Sequence, residues 1–89
     1  MRAIVTVIGK DQVGIIANVC AALSERQINI LDISQTILQD YFTMIMLVDT
    51  AGCTLPFNEL SQLLRDRGES MGMSIRIQRE DIFEAMHRI

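Results

Sequence analysis

The sequence predicts an α+β domain built as strand, helix, strand, strand, helix, strand: a four-stranded antiparallel sheet, two helices on one face, and an extra C-terminal helix. Three observations carry this. Apolar runs of strand length recur at 3–8, 28–38, 41–48 and 73–78; helical spacing of apolar residues separates the first strand from the second and the third from the fourth; and right-handed crossovers then put both helices on one side of the sheet, the split βαβ arrangement.

Ala3-Ile4-Val5-Thr6-Val7-Ile8 is β-branched, apolar on both faces and stopped by Gly9, which predicts a central strand. From Gln12 to Arg26, Ile16, Val19, Cys20 and Leu23 recur at helical spacing, and Asp11 stands where an N-cap belongs. The apolar phase of 28–38 slips from Ile28 and Ile30 to Leu31, Ile33 and Ile37, which predicts a strand containing a bulge or a change of exposure part way along. Gln39-Asp40 turns the chain into Tyr41–Val48, a second central strand apolar on both faces, so the two form a hairpin.

After the loop 49–53, Thr54 and Pro56 open a helix with Phe57, Leu60, Leu64 and Met71 on one side; Gly68 weakens its last turn and Gly72 ends it. Met73, Ile75 and Ile77 alternate with Ser74, Arg76 and Gln78, the pattern of a half-buried edge strand. In the tail, Ile82, Phe83, Met86 and Ile89 share one helical face, so residues 80–89 are expected to dock on the domain or on a dimer partner.

Composition narrows the function. The 89 residues make one domain, 49% hydrophobic with a single proline, far from the signature of disorder. A net charge of −3 and a pI near 4.9, with one Tyr and three Phe, do not suit a surface that neutralises phosphates or stacks bases, so no nucleic-acid partner is expected. The apolar start, Met1 to Ile8, carries Arg2 and is too short for a signal peptide or a membrane span, which predicts a cytoplasmic protein without membrane contact. Cys20 and Cys53 lack CxxC spacing and are expected as reduced thiols. His87 has no ligand-spaced companion, so neither a metal nor another cofactor is expected.

Two strands that are apolar on both sides leave a second sheet face to be covered, by the C-terminal helix, a second subunit, or both. At about 25 cal/mol per Å² of apolar area, an open face forfeits several kcal/mol, comparable with the stability of a small domain. A homodimer is therefore expected.

Chemistry concentrates in Gly9-Lys10-Asp11-Gln12-Val13-Gly14, between the first strand and helix. It is not a phosphate loop, because Ile15 and Ile16 follow Gly14 where lysine and a hydroxyl are needed. Gly14 permits close approach to the backbone, and free N–H groups of a first helical turn hold anions; equally, Asp11 could only cap and Gly14 only pack.

With Lys10-Asp11-Gln12-Val13-Gly14-Ile15 after the strand 3–8, Gln27-Ile28-Asn29-Ile30 opening the second strand, and this element order, the chain resembles the ACT domain, a ferredoxin-like βαββαβ regulatory module of amino-acid metabolism. The resemblance implies an ACT domain over 1–79 and the C-terminal helix over 80–89, as in short single-domain bacterial and archaeal ACT proteins. It also implies a homodimer in which a small-molecule effector such as an amino acid sits between the first loop of one chain and the second strand of the other. Residue by residue, this picks out Asp11, Gln12, Val13, Gly14 and Ile15 with Asn29 and Ile30. Many relatives have proline where this chain has Val13, which leaves this loop less rigid. No catalytic residue is expected. The alternatives are a protein-partner or dimerisation module without ligand, and an acylphosphatase-like enzyme. The latter shares the element order but needs an arginine in the first loop, where this chain has Asp11.

Overall fold

The computed structural model describes residues 1–82. The chain runs β1 (Arg2–Lys10), α1 (Ile15–Glu25), β2 (Asn29–Leu38), β3 (Tyr41–Asp49), α2 (Phe57–Met71) and β4 (Met73–Arg79). The strands form one antiparallel sheet in the order β2-β3-β1-β4, so β1 and β3 are central and β2 and β4 are edges, as their apolar patterns predict. This is the ferredoxin-like architecture. Helical backbone resumes at Glu80 and continues to Ile82; Phe83, Met86, His87 and Ile89, on which the expected docking stripe and the lone histidine rest, lie outside the described residues.

The core follows from strand alternation. Ala3, Val5 and Val7 of β1, Phe42, Met44, Met46 and Val48 of β3, and Met73, Ile75 and Ile77 of β4 all point to the face the helices cover, and all are buried. The helices answer with Ile15, Val19, Ala22 and Leu23 from α1 and Leu60 and Leu64 from α2. No polar or charged side chain is buried among the described residues. No helix among them is long and apolar enough to cross a membrane.

In β2 the phase slip is a bulge. The register with β3 jumps between Ile30 and Asp32, leaving Leu31 as the extra residue, and Ile33 and Ile37 thereby move to the helix side with Met46 and Phe42. Gln39 and Asp40 then make the two-residue turn, with Leu38 paired to Tyr41. Gln39 takes the left-handed region at φ 55, which a residue with a Cβ enters at a cost of roughly 1–2 kcal/mol. Gln39→Gly is accordingly expected to raise the unfolding free energy by about 0.5–1 kcal/mol, the unfolded-chain entropy of glycine taking back part of the gain. Urea denaturation checks this.

Two expectations about α1 are corrected. The helix starts at Ile15, not Gln12, and its N-cap is Gly14 (φ 87, ψ 7) with no side-chain cap, so Asp11 does not cap it. The reason lies in β1, which stays paired with β3 as far as Lys10, opposite Tyr41, so 11–14 are needed for the turn. The buried stripe of α1 is also rotated: Ile15 and Ala22 are buried, while Ile16 is 41% exposed and Cys20 is half-buried at the border.

Candidate functional site

The first loop is held at three points. The Asp11 N–H donates to the Asp40 carbonyl of the hairpin turn at 2.7 Å, tying the loop to the β2–β3 tip. The Gln12 side-chain amide donates to the Met71 carbonyl at the end of α2, also at 2.7 Å. Gly14 O accepts from Asn18 twice, from its backbone N–H at 2.9 Å and its side-chain amide at 3.0 Å. Gly14 takes the left-handed region at φ 87, and the first N–H groups of α1 that follow it have no intrahelical acceptor.

Beside this turn is a cavity of about 230 Å³. Asp11, Gln12 and Gly14 of the loop and Ile15, Ile16 and Ala17 of the first turn of α1 form one wall; Gln35 and Ile37 of β2 and Phe42 of β3 form the other. The lining combines the first turn of α1 and its macrodipole on one side, the side chains of Asp11, Gln12 and Gln35, and the apolar side chains of Ile15, Ile16, Ile37 and Phe42.

Four residues singled out in the sequence, Asp11, Gln12, Gly14 and Ile15, therefore meet in one cavity. Val13 does not line it and projects fully into solvent. Asn29 and Ile30 lie at the opposite end of β2, paired with Asp49 and Val48, whereas the cavity lies at the Phe42 end of β3. At about 3.4 Å per residue this separates them from the loop by roughly 24 Å within one chain. Ile30 packs against the core and Asn29 is exposed. Near Asn29, the Asp49 carboxylate accepts the Ala51 N–H at 3.0 Å and the Met1 ammonium at 3.4 Å; the Ala51 bond first, then the ammonium and Arg2, hold its pKa below the usual carboxylate range.

Sequence reasoning missed Gln35, Ile37 and Phe42. The available signal was Gln35, a polar residue standing between Ile33 and Ile37 in the helix-facing phase once the bulge is placed. A larger depression of about 560 Å³ lies between the end of α1 and α2, lined by Leu63 and polar or charged side chains. It is an open groove across which Arg67 and Glu25 pair at 3.4 Å, and none of the residues singled out in the sequence lines it. Among the described residues no cluster of three His, Cys, Asp or Glu side chains could hold a metal ion.

The chain belongs to the ACT domain family, whose model matches residues 2–78, and that family is a regulatory, small-ligand-binding type of module. Its full-length relatives are UPF0237 proteins: that of Clostridium acetobutylicum is 55% identical over 89 residues, 100% of both chains, and that of Bifidobacterium longum 52% identical over 88 residues, 99% of this chain and 98% of the relative. Among solved structures, an ACT domain protein from Streptococcus pneumoniae superposes with a TM-score of 0.84 at 42% identity, covering 98% of each chain. The regulatory subunit of aspartate kinase from Thermus thermophilus matches with a TM-score of 0.66 at 26% identity, over 86% of this chain and 50% of that one.

Proposed function

We propose that this chain is a non-catalytic sensor of the cytoplasm that binds an amino-acid-like effector beside its first loop, in a site completed by a second copy paired along β2. The observation that carries the reading is the cavity that gathers Asp11, Gln12, Gly14 and Ile15 against the first turn of α1. The amides of that turn suit a carboxylate, the Asp11 carboxylate suits an ammonium, and Ile16, Ile37 and Phe42 suit a short apolar side chain. One chain alone contributes a volume of about 230 Å³ to this site.

Pairing along β2 is supported by what that edge leaves uncovered. β2 is an edge strand with an unpaired row of backbone groups, and Ile33 and Ile37, although on the helix side, are 41% and 56% exposed. In a two-fold antiparallel pairing, the start of one β2 lies beside the end of the other. That brings Asn29 and Ile30 of the partner subunit toward the first loop, which no single chain does.

The test is thermal unfolding against a panel of amino acids and related metabolites. An effector at a hundred times its Kd adds about 2.7 kcal/mol, which raises Tm by roughly 10–20 °C for a domain of this size. Gly14→Val, which forces a β-branched residue to φ 87, is expected to abolish the shift. Silence across the panel in a protein that is still dimeric would favour a ligand-free protein-interaction module.

A further inference from the structure

β4 is the second edge of the sheet. It pairs with β1 alone, runs without bulge or proline, and leaves alternate N–H and C=O groups along its outer side without a strand partner among the described residues. A groove of about 220 Å³ follows that edge, lined by Arg65 and Glu69 of α2 and by Met73, Ser74, Ile75 and Arg76 of β4.

Two guanidinium groups flank the edge at one level. Met73, Ile75 and Ile77 are buried under the helices, so alternation puts Arg76 on the opposite face. Arg65 stands on the helix side. Gly68 lies against Met73 and Ile75, and because the chain reverses at Gly72, going back along α2 is going forward along β4. Arg65 is about 4.5 Å from Gly68 along the helix axis, which brings it level with the strand near Arg76. Both side chains are exposed, and among the described residues neither has a carboxylate partner, whereas Arg2, Arg67 and Arg79 each have one. On a chain of net charge −3 this edge is locally cationic.

The charge decides what the edge accepts. In a two-fold pairing of β4 with its own copy along the whole strand, Arg76, the middle residue of Met73–Arg79, falls opposite itself, and like charges directly opposite destabilise a strand pair. Pairing of β4 with the β2 edge of another copy is head-to-tail and does not close in a two-fold dimer. A neutral strand leaves both guanidinium groups unmatched. An acidic strand satisfies them, and since successive side chains alternate faces, two adjacent carboxylates meet one arginine each.

The geometry points to a docking edge: an extended acidic segment of a partner protein adds to β4 as a fifth strand, with one of two adjacent carboxylates toward Arg65 and the other toward Arg76. The inference is independent of the first loop and of any effector bound there.

NMR titration of the isotope-labelled full chain tests it, with a capped peptide of alternating threonine and valine that carries two adjacent glutamates at its centre. Shifts are expected at the amides of residues 73–79 and at Arg65, and a peptide with lysines in place of the glutamates is expected to leave them unmoved. Arg65→Glu combined with Arg76→Glu, at two exposed positions, is expected to keep Tm within about 4 °C and to weaken binding about tenfold or more. Equal binding of the lysine peptide, shifts confined to β2, undiminished binding by the double variant, or no shift at all would each overturn the inference.

Discussion

Gly68→Ala is expected to destabilise the domain by about 1–2 kcal/mol, although the same change inside an ordinary helix stabilises by up to about 1 kcal/mol. Gly68 is buried on the side of α2 that lies against β4. A Cβ there would sit 2.7 Å from the Met73 carbonyl oxygen, 2.9 Å from Ile75 Cγ1 and 3.1 Å from the Ile75 nitrogen. Two of these are backbone atoms of a strand locked to β1, with Gly9 opposite Met73 and Val7 opposite Ile75, so they cannot swing aside as a side-chain end would. The helix must lift, and lifting it loosens Leu64 and Leu60, which are fully buried one and two turns earlier. Overpacking of this kind costs about 1–3 kcal/mol, more than the helical propensity returns. Urea unfolding measures the balance; a neutral or stabilised Gly68→Ala protein would show that α2 rides on β4 without fixed contact.

Gly68 also marks the limit of what the sequence discloses. Its place at the end of a helical stretch reads as a weak last turn, because periodicity reports which face is apolar and not how closely two backbones approach. Where the information is local, it is legible. The alternation of β4, the two-sided apolar character of β1 and β3, the bulge at Leu31 and the stop at Gly72 are consequences of nearest-neighbour geometry, and each stands in the structure as its pattern predicts. Asp11 fails to cap for the opposite reason: pairing of β1 with β3 as far as Lys10, which only the finished sheet supplies, moves the helix start to Ile15.

The site divides in the same way. Asp11, Gln12, Gly14 and Ile15 fall within five consecutive residues and their gathering needs nothing beyond the turn between β1 and α1. Gln35, Ile37 and Phe42 join them only because the register of β2 on β3 brings the hairpin beside α1, and that register depends on a single extra residue. Shifted by one, Gln35 would face the other side of the sheet and the cavity would lose its polar far wall. Asn29 and Ile30 are a third case, since no register within one chain brings the start of β2 to the first loop.

Adjacent residues on β3 offer the sharpest reading of the two sheet faces. Met44 is fully buried against the helices, and Met44→Ala is expected to cost about 2–5 kcal/mol through lost transfer energy and a cavity that a central strand cannot close. Ile45 points to the opposite face, where within the described residues it is 42% exposed. On a bare face Ile45→Ala would stay within about 0.5 kcal/mol, as surface changes do. On a face covered by a second copy of the chain, Ile45→Ala is expected to cost more than about 1 kcal/mol in the assembled protein. Equilibrium unfolding of the parent protein and the two variants, at several protein concentrations, separates the possibilities. A large Met44 effect beside an Ile45 effect that grows with protein concentration would place the cover of the second face on another chain. An Ile45 effect near zero would leave that face bare, and the two-sided apolar pattern of β1 and β3 would then report the centre of a sheet and nothing packed upon it.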